Sequence, residues 1–174
     1  MGRLVTFSTP QPLTSVVDRI AQGVGFPGGI QIAIPQSASV DNMQIRTVGV
    51  CPGSGSGVLV KGTGDNLPDL LFTGELSHHE ALAVIERGSA VVALAHSNTE
   101  RGYLRAVMRE KLGEVLKKEW ETERDQGLKA MEESAKEAGA GLVDGLDEAY
   151  KDSECGVGVS DADRDPFGIM VRIG

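Results

Sequence analysis

All three histidines of this 174-residue chain fall in two short blocks. One runs Leu70-Leu71-Phe72-Thr73-Gly74-Glu75-Leu76-Ser77-His78-His79-Glu80. The other runs Ala95-His96-Ser97-Asn98-Thr99-Glu100-Arg101. Each block follows an apolar run of strand character and opens a run of helical period. Imidazoles are common ligands for transition metals, and carboxylates complete such sites. His96 and Glu100 are four apart at a helix start, so the first turn can present both to one ion. The same residues admit a structural reading. Ser97-x-x-Glu100 fits a capping box, in which both side chains serve backbone amides.

The first block has a similar ambiguity. Ser77-x-x-Glu80 also fits a capping box. That accounts for Ser77 and Glu80 and leaves Glu75, His78 and His79 to line a polar site. A histidine near a helix N-terminus resists protonation, which suits a ligand or a base.

A glycine-rich loop, Gly53-Ser54-Gly55-Ser56-Gly57, follows a strand-like run that ends at Cys51. The amides of Gly53, Ser54, Gly55 and Ser56 could hold an anion. No Lys-Ser/Thr pair follows, so this is not a P-loop. The alternative is a tight turn that lets elements approach closely. Asp161-Ala162-Asp163-Arg164-Asp165-Pro166 lacks the ligand positions of an EF-hand. It is expected to be a surface turn with local Asp–Arg pairing. No nucleophile triad can be assembled, and nothing near Cys51 in sequence would activate it.

These residues need a scaffold. Leu4 to Phe7 reads as a strand broken by Pro10 and Pro12, and a helix then opens on Pro12. Ile30–Ile34, Ile45–Cys51, Asp69–Phe72 and Ser89–Ala95 read as strands. Residues 77–87 and 98–119 read as helices with one apolar face. Strands are also expected at 155–159 and 167–173. This order predicts a layered α/β/α domain with a mixed sheet and helices on both faces. Open sheets of this kind place ligands at the carboxyl ends of their strands. Residues 120–154 look like a charged, helical insertion.

Composition narrows the function classes. The net charge is −8. Residues 109–154 carry fourteen acidic and eight basic side chains, which concentrates the acidity in one segment. No basic patch supports direct nucleic-acid binding. No apolar run approaches the ~18 residues of a membrane span. The N-terminus has no secretory-signal pattern. Two cysteines suggest free thiols in a reducing compartment. A cytoplasmic protein is expected, with nucleus or mitochondrion as alternatives.

Several blocks together resemble the C-terminal part of the Ngg-interacting factor three (Nif-three-like) family, the GTP cyclohydrolase type 2 homologues with a dinuclear metal centre. The blocks are Gly2-Arg3, Cys51-Pro52-Gly53-Ser54-Gly55-Ser56-Gly57-Val58-Leu59, Leu71 to His79, His96 to Gly102, and Asp163-Arg164-Asp165-Pro166. The charged stretch 120–154 matches less well. The resemblance implies a divalent transition metal such as zinc, iron or manganese, a ring-shaped homo-oligomer, and metal-dependent hydrolysis for a full-length member. It carries the metal-ligand role onto His96 and Glu100. Glu75, His78 and His79 then line the cavity, with Glu75 or His79 as candidates for proton transfer. The family's other ligands, paired histidines and an aspartate, belong to an N-terminal half. With no histidine before His78, the chain is expected to bind metal weakly, as a fragment, an alternative product or a shortened relative. The alternative class is a non-catalytic interaction protein whose acidic helix meets a protein partner.

Overall fold

Leu70 and Leu71 are neighbours in sequence and both fully buried, yet they belong to different cores. They open strand β4 (Leu70–Glu75), and successive side chains of a strand point to opposite faces. In this computed structural model, which describes residues 2–25, 28–64, 66–139 and 146–170, the other strands are β1 (Arg3–Pro12), β2 (Gln31–Ala33), β3 (Gln44–Ser54) and β5 (Ala90–Ala93). Helix α1 (Leu13–Val24) follows β1, and helix α2 (His78–Glu86) joins β4 to β5. Helix α3 (Asn98–Tyr103) comes after β5. The sheet order is β1-β3-β4-β5-β2. β3, β4 and β5 are mutually parallel, and β1 and β2 are antiparallel edges.

The two cores put helices on both faces, as the sequence predicts. Leu13 and Val16 of α1 meet Ile45, Val48, Leu70, Ala90, Val92 and Leu94 on one side. Val84 of α2 meets Cys51, Leu59, Leu71 and Val91 on the other. Fully burying a leucine or valine contributes about 1.5–3 kcal/mol, so these faces hold the layers together. Asp69 fixes the strands at their amino ends. Its Oδ2 accepts from the amides of Arg46 and Thr47 at 2.8 Å each, and from Thr47 Oγ1 at 3.0 Å.

Three local expectations need correction. Pro10 and Pro12 do not break β1, which runs through both. β1 is an edge strand, and its register with β3 shifts between Thr6 and Gln11. A missing N–H is tolerated at such a place. Val58 to Val60, to which the sequence reading assigns no element, belong to a π-helical turn over Ser56–Val60, where Leu59 buries itself against α2. Residues 155–159 are not a strand. Nor are 167–170, and 171–173 lie outside the described residues. Among the described residues the sheet ends at β1 and β2.

The chain divides into two units, residues 1–102 with 161–174, and residues 103–160. The second unit contains a π-helical turn at Leu104–Met108 and the long helix α4 (Arg109–Ala138), with the short helix α5 (Leu146–Lys151) following it. Tyr150 of α5 stacks on Trp120 with ring centroids 6.3 Å apart. Trp120 Nε1 donates to the Asp152 carbonyl at 2.9 Å, and Arg124 Nε donates to the Tyr150 carbonyl at 2.7 Å. The Tyr150 ring also occupies the space that a side chain at Gly127 would need. No helix among the described residues is long and apolar enough to cross a membrane.

Candidate functional site

Because β3, β4 and β5 are parallel, their carboxyl ends share one edge of the sheet. Gly53 arrives from β3, Glu75 from β4 and His96 from the turn after β5. The β3–β4 register is irregular between Cys51 and Ser54, and Gly53 in that irregularity has φ +67°. Its carbonyl accepts a hydrogen bond from the fully buried Thr73 hydroxyl at 3.0 Å. Its amide donates to Thr99 Oγ1 at 2.9 Å. Thr99 Oγ1 in turn donates to the His96 carbonyl at 2.8 Å. The loop is thereby tied to both neighbouring segments.

Over this glycine the imidazole of His96 meets two carboxylates. Nδ1 lies 2.8 Å from Glu75 Oε1, and Nε2 lies 3.5 Å from Glu100 Oε1. A Cβ at Gly53 would come within 2.8 Å of Nε2 and 2.9 Å of Glu100 Oε1. Only glycine leaves that space open. All three side chains are about half exposed. The hydrogen bond with Glu75 is the largest cause raising the His96 pKa; partial burial opposes it, and the nearby charges of Glu100, Glu75 and Asp165 add to the rise. A hollow of about 300 Å³ opens beside the pair, lined by Gln31, Glu75, His96, Asp165 and Phe167 among others.

The remaining candidate residues are distributed as follows. Ser54 is exposed and pairs with Glu75 in the β3–β4 register. Gly55 packs directly on Thr73, with no room for a side chain. Ser56 donates its hydroxyl to Glu80. The amide of Gly53 is already used by Thr99, and the carboxylates of Glu75, Glu80 and Glu100 surround the loop. An anion placed here would meet repulsion, while the close approach of His96 and Glu100 follows directly from the glycine. His78 and His79 are exposed on α2, their rings edge to face at 5.4 Å. They do not line the hollow.

The two capping boxes part company. At α2 the box is formed, with the Glu80 amide donating to Ser77 Oγ at 3.3 Å and the Ser77 amide donating to Glu80 Oε2 at 3.0 Å. Bonds from the hydroxyl of Ser56 and from the amide and hydroxyl of Ser77 hold the Glu80 carboxyl at about 2. At α3 the Ser97 amide is taken by Asp165 Oδ2 at 2.9 Å, and Glu100 turns to His96.

Asp165 corrects the reading of 161–166 as a turn with only local pairing. It is buried, and it reaches back to the start of α3. The Phe167 amide is the largest cause lowering its pKa; partial burial opposes this, and the Ser97 amide and hydroxyl and Arg101 favour the charged form too. Arg101 pairs with Asp163, Nη2 to Oδ2 at 3.0 Å, without the alignment of a directed hydrogen bond. Its Nε has no hydrogen-bond partner among the described residues. Thr73, Thr99 and Asp165 fall inside blocks that the sequence singles out, but the sequence gives none of them a place in the site.

Three side chains converge, but no group of three or more metal-capable side chains is placed to hold an ion among the described residues. Two donors, His96 Nε2 and Glu100 Oε1, do face a common space. A carboxylate on the far nitrogen of a histidine is the usual outer support of a metal ligand. The donor set therefore fits part of a metal site.

The chain is similar to known proteins. The chain is 41% identical over 109 residues to NGG1-interacting factor 3 of Saccharomyces cerevisiae, covering 62% of this chain and 37% of that protein. It is 38% identical over 118 residues to the protein NIF3 homolog of Schizosaccharomyces pombe, covering 68% of this chain and 40% of that one. The chain thus spans about two fifths of the length of these relatives. A Bacillus cereus protein related to NIF3 has a similar fold, with TM-score 0.50 and 19% identity over 67% of this chain and 30% of that one. The model of the family described as Duf34/NIF3 (NGG1p interacting factor 3) matches residues 1–126, and the chain belongs to that family.

Proposed function

We propose that this chain contributes His96 and Glu100 to a divalent-metal site serving a hydrolytic reaction. The observation that carries this reading is the convergence of His96 Nε2 and Glu100 Oε1 over the bare Cα of Gly53, with Nδ1 held by Glu75. With Nδ1–H donated to Glu75, the neutral ring keeps its Nε2 lone pair for a ligand bond. Zinc, iron or manganese bound there would act as a Lewis acid and lower the pKa of a coordinated water. Glu75, already engaged by His96, is assigned to positioning rather than to proton transfer. The hollow beside Gln31 and Phe167 would receive the substrate.

Two protein ligands leave most of a coordination shell to water, so binding by the isolated chain is expected to be weak. Cobalt(II) titration followed by visible absorption tests the assignment. The expected result is a weak signal that is lost in His96→Ala and Glu100→Gln. Elemental analysis after dialysis should find well below one tightly held ion per chain. Two retained ions would overturn the reading.

A protein partner is a second reading. It is favoured by the name of the Saccharomyces cerevisiae relative, a factor interacting with NGG1. The long, charged α4 is the surface this chain would offer. Pull-down of α4 charge-reversal variants against the chain with native α4 separates this from the metal site.

A further inference from the structure

Asp165 lies 68 positions beyond the residue it holds. Only 9% of its surface is exposed, and a buried carboxylate is costly unless its bonds compensate. Those bonds are the Ser97 amide on Oδ2 at 2.9 Å and the Phe167 amide on Oδ1 at 3.0 Å. Ser97 follows His96 directly. On the other side of His96, Ala95 has φ +67° and is the one described non-glycine residue with positive φ. That conformation is unfavourable for a residue with a Cβ, and such strain persists only where the surroundings over-determine it. The third constraint is Gly74. A Cβ there would come within 2.9 Å of His96 Cα and 3.0 Å of the Ala95 carbonyl oxygen.

We infer that Asp165 is a positioning residue for His96: by bonding the Ser97 amide it locks the strained Ala95–Ser97 turn over Gly74 and so aims the imidazole at Glu75 and Glu100. The segment that carries Asp165 is also fastened by the Arg101–Asp163 pair. Ala95 cannot relax to ordinary backbone angles while the amide after His96 is held. The carboxylate thus acts on the imidazole through the main chain, without touching it. In its metal arm this inference rests on His96 and Glu100 being ligands. Its other arm does not.

The test uses the full chain with isotope-labelled histidine. Imidazole NMR at alkaline pH reads the tautomer of neutral His96 without any metal. The native chain should show one dominant tautomer, with the proton on Nδ1. Asp165→Asn and Asp165→Glu should both shift the ring toward a mixture of tautomers. The first loses an acceptor, and the second keeps the charge but displaces its oxygens. Val16→Ala, a core truncation on α1, supplies a destabilised control that should leave the tautomer unchanged. Cobalt(II) affinity should fall roughly 10- to 100-fold in both Asp165 variants, as for loss of an outer support. Native tautomer and native cobalt affinity in the folded Asp165 variants would overturn the inference. So would an equal tautomer shift in Val16→Ala. If the native chain binds no cobalt, the reading of His96 and Glu100 as ligands fails, and the tautomer result alone decides the role of Asp165.

Discussion

Glu75 Oε1 stands 2.8 Å from His96 Nδ1 although 21 residues separate the two in sequence. The contact exists because β4 and β5 are adjacent and parallel, with Thr73 opposite Ala93. It orients a ring whose other nitrogen faces Glu100. Everything proposed for this edge of the sheet depends on that orientation.

Gly53→Ala tests the bare Cα. A side chain at φ +67° is strained by about 1–2 kcal/mol, and its Cβ would press on His96 Nε2 and Glu100 Oε1. Urea unfolding should show at least that loss of stability. Cobalt(II) binding should disappear even in chains that remain folded.

Thr73→Val removes a hydroxyl that is fully buried and donates to the Gly53 carbonyl. An unsatisfied buried acceptor costs about 1–3 kcal/mol. Equilibrium denaturation should register that cost. Amide exchange at Gly53 should quicken, since the loop loses its floor.

Ser77→Ala should cost about 0.5–2 kcal/mol, the usual effect of losing an N-cap. Thermal unfolding measures it. Ser97→Ala leaves the backbone bond to Asp165 in place, so it should cost less than Ser77→Ala.

Glu80 sets an acid limb of the stability curve. Its carboxyl is lowered in the folded chain from 4.5 to about 2. The unfolded state therefore binds its proton first as pH falls. The contribution is fully present above 4.5 and is lost between 4.5 and about 2. Glu80→Gln should flatten the loss of stability over that window in pH-dependent urea titrations. An unchanged slope would contradict the assignment.

Self-association is expected through β1, which among the described residues is an edge of the sheet and whose Leu4 and Val5 are exposed. Light scattering over a range of concentrations should show a rising average mass. Val5→Lys should lower it. A monomer at every concentration would remove the homo-oligomer from the proposal.

Much of the scaffold was legible because local pattern and tertiary burial agree. The apolar run Ser89 to Ala95 announces a strand buried on both faces, as Ala90, Val91 and Val92 are, and Ser77-x-x-Glu80 announces the start of α2. The prolines of β1 misled because their tolerance depends on β1 being an edge, which no local pattern reveals. The π-helical turn over Ser56–Val60 was not legible, because Leu59 finds its burial only against α2 in the folded chain. In the site, His96 and Glu100 stood out by type and spacing. The roles of Thr73, Thr99 and Asp165 were not legible, since an ordinary threonine or aspartate becomes part of a site only through contacts 20, 46 or 68 residues away.

The parallel arrangement of β3, β4 and β5 also dictates when the site comes into being during folding. Parallel neighbours cannot be joined by a hairpin and must wait for their crossovers to close. Gly53, Glu75 and His96 are brought together only after two such crossovers, and Asp165 only after the chain has returned from its second unit. No peptide cut from either histidine block would reproduce the arrangement. His96 and Glu100 alone are neighbours on one turn, so it is the bond between His96 and Glu75, 21 residues away, that would report the completion of folding.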